Sequence, residues 1–91
     1  MYEIFVTKNF SKALKKLHEK ERRRIKNKLR VAAKNPWLYF LRLRSFPFFR
    51  LRIGKYRIIA QIIPSKKRIT LLSIVPRRTA YKKLRKNKQQ N

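Results

Sequence analysis

The 91-residue chain contains no cysteine, which removes disulfides, thiol nucleophiles and thiolate-held metals together. Its one histidine, His18, is too few to build a metal cluster, so no metal and no cofactor is expected. Acidic residues are nearly missing as well: Glu3, Glu19 and Glu21 are all there are. Glu19 and Glu21 suit the start of a helix, where carboxylates are favoured, and Glu3 falls in a strand-like stretch, which argues against paired-carboxylate chemistry. No apolar run is long enough to cross a bilayer. Met1-Tyr2-Glu3 opens without the charged and then apolar leader of a secretory signal. The expectation is a cytoplasmic protein with no membrane partner.

What fills the chain instead is positive charge. Lys and Arg number 28 against 3 Asp and Glu, a formal net charge of +25 at pH 7. Such a molecule repels itself when compact and alone, and a polyanion relieves that repulsion. Nucleic acid is the first candidate, because phosphate neutralisation releases condensed counterions, and an acidic protein is the second. Hydrophobic residues make up 43% of the chain, enough for a core and too many for a disordered basic tail. With no repeat and no internal boundary, residues 1–91 read as a single domain.

Tyr2 to Val6 is aromatic and β-branched, which predicts a first strand. Thr7 and Asn9 offer helix caps, and Phe10, Ala13, Leu14 and Leu17 then recur at helical spacing. Ile25, Leu29, Ala32 and Ala33 repeat the period in a second helix that stops at Asn35-Pro36. Little chain joins the two, so a helical hairpin follows. Trp37 to Phe49 has no clear period, and Pro47 interrupts it. Trp37, Tyr39 and Phe40 there suit hydrophobic packing between helix and sheet better than stacking on bases. Three further strands are predicted over Phe48 to Ile53, Tyr56 to Ile63 and Arg68 to Val75. The predicted class is α+β: an N-terminal strand, a two-helix hairpin, an antiparallel three-strand meander packed on the helices, and a basic C-terminal tail.

Gly54-Lys55 has glycine where a type II′ hairpin turn needs it, and a two-residue turn sets the register. Ile53 then faces Tyr56, Arg52 faces Arg57, and Leu51 faces Ile58. Side chains alternate along strands, so Arg50, Arg52 and Arg57 share one face, with Ile59, while Phe49, Leu51, Ile53, Tyr56 and Ile58 share the core face. Arginines directly opposite one another repel, so an anion is expected to compensate. The same pattern also fits the solvated side of an antiparallel sheet in a very basic chain.

"RLRIGKYRII", followed by "IVPRRTAYKKL", resembles the RelE/ParE toxin superfamily, as does the order of strand, two helices and antiparallel sheet over nearly the whole chain. The resemblance to the RelE branch implies the toxin of a type II toxin–antitoxin system, a metal-independent endoribonuclease that cuts mRNA in the ribosomal A site. It implies partnership with ribosomal RNA, mRNA and a cognate acidic antitoxin. The motif carries a catalytic role to Arg50, Arg52 and Arg57, to the late arginine at Arg77 or Arg78, and to Tyr81. Arg50 stands where several relatives have lysine. Arg22, Arg23, Arg24 and Lys26 in "ERRRIKNK", with Arg42, Arg44, Arg78, Lys82 and Lys83, are expected to contact RNA, the alternative for the helix being a solvated face. His18 reads as a surface residue at a helix end. Two rival functions stay open: a ParE-like inhibitor of DNA gyrase, and a small RNA-binding protein without catalysis.

Overall fold

Thr7 starts the first helix as the sequence predicts, and its hydroxyl does more than cap it. Thr7 Oγ1 accepts the Phe10 N–H at 3.2 Å and lies 2.8 Å from the Leu71 carbonyl, to which it donates. This contact ties the front of the chain to its last strand. The computed structural model describes residues 1–76, so the basic tail, with Arg77, Arg78, Tyr81, Lys82 and Lys83, lies outside the described residues.

The described elements run β1 (Glu3–Val6), α1 (Lys8–Lys15), α2 (Glu19–Lys34), α3 (Pro36–Tyr39), β2 (Leu41–Arg42), β3 (Phe49–Ile53), β4 (Tyr56–Ile63) and β5 (Arg68–Pro76). They form an α+β fold whose sheet has the order β1-β5-β4-β3-β2. The expected meander is its centre: β3, β4 and β5 pair antiparallel. β1 joins β5 in parallel, with Glu3 opposite Arg68 and Val6 opposite Leu71. The short β2 adds to β3 through Leu41 and Arg42. Neither β2 nor α3 is expected from the irregular Trp37–Phe49 stretch. Trp37 nevertheless sets that stretch in place, edge-on to both Tyr2 and Phe49, with ring centroids 6.4 and 5.7 Å away.

The core sits between the sheet and the helices. Ile25, Leu29, Ala32 and Ala33 are all buried, so the apolar stripe of α2 is its buried stripe. In α1 only Phe10 is buried, while Leu14, and Leu17 just beyond the helix, pack partly against the core. Leu51, Ile53, Ile58, Ala60, Ile62, Ile69 and Leu71 supply the sheet side. Each large aliphatic side chain fully withdrawn from water contributes roughly 1.5–3 kcal/mol, which is what forces the alternation to be obeyed. Tyr56 sits at the margin of this core, half-buried.

One irregularity matters for the far face. Ile59 pairs with Ser73 but Ala60 pairs with Leu71, so Leu72 is the extra residue of a β-bulge in β5. Without it, Ile69 and Leu71 would send Ile74 outward; with it, Ile74 packs on the core and Val75 faces the other way beside Arg57. The bulge is held from α1. Asn9 Nδ2 donates to the Leu72 carbonyl at 3.0 Å, and Thr7 Oγ1 lies 3.2 Å from the same oxygen.

Candidate nucleic-acid interface

The hairpin that carries the arginines has the predicted register, with Arg50 opposite Ile59, Leu51 opposite Ile58, Arg52 opposite Arg57 and Ile53 opposite Tyr56. Gly54 has φ +58°, and Lys55 is not among the residues of positive φ, the pattern of a type II′ turn. Since Leu51, Ile53 and Ile58 are buried under the helices, Arg50, Arg52 and Arg57 fall on the helix-free face. There Arg50 and Arg57 are half-buried and Arg52 is exposed.

Two grooves divide the three cations. Arg50 and Arg57 border an apolar groove of about 210 Å³ whose walls include Phe46, Phe48 and Ile59. Leu43, from the connection after β2, and Val75, turned outward by the bulge, complete it. Arg52 instead lines a shallower cleft at the sheet edge with Arg24, Asn27 and Lys28 of α2. The sequence reading brings all three arginines to one face. The structure adds that Arg52 lines a different cleft from Arg50 and Arg57, one that it shares with α2.

The basic stretch of α2 is not one surface. Arg22 is drawn inward, donating from Nη1 to the Leu17 carbonyl at 2.6 Å and to that of Lys15 at 3.3 Å, where it caps the end of α1. Arg23 pairs with Glu19 at 2.9 Å along the exposed helix side. Arg24 lies against the hairpin turn, its guanidinium 3.0 Å from where a Cβ on Gly54 would stand. Lys26 lines a separate groove beside Ile4, Val6 and Leu14 on the helix side of the sheet. Arg42, in β2, and Arg44, in the following connection, are exposed. His18, placed at the end of helix one by sequence, occupies the N-cap position of α2 without a side-chain cap bond.

The hairpin tip is clasped by Glu21. Lys55 Nζ stands 3.5 Å from Glu21 Oε2, and Lys55 also lies over the Tyr56 ring at 5.6 Å. The hydroxyl of Tyr56, with a smaller contribution from the Lys55 ammonium, holds the Glu21 carboxyl below its ordinary value. Burial, reinforced by the Glu21 carboxylate, pushes the Tyr56 hydroxyl up. A lowered folded-state value means that Glu21 stabilises the fold while ionised and that this contribution is lost as pH falls through that value. Glu21→Gln is therefore expected to speed amide exchange at Gly54, Lys55 and Tyr56 at neutral pH. Comparing variant and parent by hydrogen exchange at falling pH should show the difference vanish.

Among the described residues no group of three or more His, Cys, Asp or Glu side chains converges as a metal site would require. None of the described helices is long and apolar enough to cross a membrane. The arginine grooves therefore offer guanidinium forks, suited to phosphate oxygens, set beside aromatic and aliphatic walls.

Residues 4–81 match the model of the family described as the ParE toxin of type II toxin–antitoxin systems, parDE. The archaeal RelE–RelB complex from Pyrococcus horikoshii OT3 contains a chain 25% identical, superposing with a TM-score of 0.73 over 84% of this chain and 94% of that one. The intact E. coli RelBE complex gives 22% identity and a TM-score of 0.72, over 84% and 96%. RelBE2 from Mycobacterium tuberculosis gives 20% and 0.74, over 84% and 98%, and these two likenesses are of fold. No curated protein matches the chain. With its family match spanning most of the sequence, the chain belongs to the ParE toxin family of the RelE/ParE superfamily and is a toxin of a type II toxin–antitoxin system.

Proposed function

We propose that this toxin is a RelE-type endoribonuclease that cuts mRNA in the ribosomal A site in the cytoplasm. The observation that carries the proposal is the pair Arg50 and Arg57, bordering one groove on the helix-free face of the sheet. RNA holds its own nucleophile: the 2′-hydroxyl attacks the adjacent phosphorus, the bond to the 5′-oxygen breaks, and one proton leaves the nucleophile while another reaches the leaving oxygen. The products are a 2′,3′-cyclic phosphate and a 5′-hydroxyl end. Guanidinium groups of Arg50 and Arg57 stabilise the charge that gathers on the phosphate oxygens, with Arg52 holding the strand beyond. Arg77, or Arg78 in its place, adds a late cation.

Proton transfer falls outside this pair, since a guanidinium with pKa above ~12 is a poor base. Glu21 and His18 stand at the start of α2, away from the groove lining. Tyr81 is the proposed proton carrier, and the ribosome supplies much of the alignment, so free RNA is cut slowly. Arg23, Arg24, Arg42, Arg44, Arg78, Lys82 and Lys83 are proposed to hold RNA phosphates, with Arg22 and Lys26 contributing charge from their more enclosed positions. An acidic antitoxin is proposed as the inhibitory partner. The charge of +25 and the RelB-bound state of the RelE structures support it.

Mapping mRNA ends on translating ribosomes tests this directly, with the expected result a cut within the A-site codon leaving a 5′-hydroxyl. A second reading is favoured by the family model itself, whose name is that of the ParE toxin. Inhibition of gyrase supercoiling with mRNA left intact would establish that reading in place of the first.

A further inference from the structure

The groove between Arg50 and Arg57 has the wrong chemistry for phosphate alone. Its lining is overwhelmingly apolar: Leu43, Phe46 and Phe48 come from the connection before β3, and Ile59 and Val75 from the sheet. Phosphates bind in polar, hydrated clefts, and a catalytic patch built only for charge has no use for two phenyl rings. Phe46 is 40% exposed, so its ring is open to a ligand from solvent. The connection that carries it is closed by a backbone bond from the Leu43 N–H to the Phe48 carbonyl at 2.9 Å. The volume, about 210 Å³, suits one flat ring system rather than a helix or a folded segment.

We infer that this groove is a nucleobase pocket: one unstacked base of a single-stranded RNA enters between Phe46 and Phe48 while its neighbouring phosphates are held by Arg50 and Arg57. The inference rests on the RNA-binding part of the proposed function and adds the site at which the base is received. Charge complementarity selects a nucleotide over an apolar peptide. Two cations at the rim suit a ligand that carries an anion beside its apolar group, a spacing that every nucleotide has. Single strands splay their bases onto aromatic side chains in this way, and such stacking tolerates any base because each has a π-face. The pocket would therefore fix the reading position of the strand with only mild base preference.

Binding is separable from cutting when the probe lacks the attacking hydroxyl. The probe is a fluorescently labelled RNA hexamer with 2′-O-methyl groups throughout, compared with the same hexamers carrying one abasic position each. Against the intact chain, one abasic hexamer should bind roughly 5- to 150-fold more weakly than the parent. Phe46→Ala should abolish that difference, and Phe46→Trp, which keeps an aromatic surface at an exposed position, should retain it. Equal affinity for every abasic hexamer would overturn the inference and leave the groove to an apolar protein segment. Equal loss for Phe46→Trp and Phe46→Ala would overturn it too. Failure to cut mRNA, with the abasic difference intact, would sink the nuclease and spare the pocket.

Discussion

Replacing Arg57 with alanine is expected to lower mRNA cutting on translating ribosomes by roughly 10²–10³-fold, the usual consequence of removing one preorganised donor from a developing oxyanion. Arg57 is singled out by its place in the sheet. It sits on β4, between β3 and β5, so backbone pairing holds it on both sides. Arg50 and Arg52 belong to a strand that β2 covers only at Phe49 and Arg50. The half-buried position beside Phe48 and Ile59 also lowers the local dielectric, which strengthens its pull on a phosphate.

The same substitution should not unfold the protein. Arg57 faces Arg52 directly across the strands, and like charges so placed are destabilising by roughly 0.2–1 kcal/mol. Arg57→Ala removes that repulsion together with the contacts Arg57 makes, so the melting temperature should fall by no more than a few degrees. Arg57→Lys keeps the charge but not the planar fork, so it should recover only part of the rate. Single-turnover cutting of ribosome-bound mRNA, followed beside thermal unfolding, checks both halves. An unaffected rate in Arg57→Ala would remove this arginine from the mechanism.

The second large effect is in binding. If the complex with RNA engages about 6–10 phosphates, its affinity should fall by ~10³–10⁵ between roughly 50 and 200 mM salt. The arrangement of cations makes that number plausible and apportions it. Arg50 and Arg57 border one groove, while Arg24, Lys28 and Arg52 line the next. A strand lying across the hairpin would meet both sets. Arg52→Ala should then flatten the slope of log affinity against log salt by about one contact without changing which base is preferred. Fluorescence titrations of a single-stranded RNA at four salt concentrations measure the slope, and an affinity indifferent to salt would rule out phosphate-driven binding.

Much of this site is legible in the sequence because two local rules agree there. Gly54 sets the turn and alternation then assigns each residue of β3 and β4 to a face, so Arg52 opposite Arg57 follows from the order of letters alone. The buried stripe of α2 is legible for the same reason, since Ile25, Leu29 and Ala32 recur with the helical period. The groove is not. Leu43, Phe46 and Phe48 lie in a connection with no period, and their use depends on the sheet they fold over. Val75 joins them only because a bulge at Leu72 reverses the alternation, a reversal that the adjacent pair Leu71-Leu72 hints at without specifying. Nor can composition show that Arg22 caps a helix while Arg24 rests on Gly54. Among so many cations, the distinction is made by the turn before α2 for Arg22 and by a hairpin distant in the chain for Arg24.

The parallel pairing of β1 with β5 sets an order of events during synthesis. A ribosome makes Glu3 early and its partner Arg68 late, so the first strand waits exposed while most of the chain is still being translated. Until the last strand arrives, β4 lacks its second flank and Thr7 has no bulge to grip. Closing so long a span before it is rewarded is slow. The outward face of β4, with Arg57 on it, is therefore flanked on both sides only once β5 has been made.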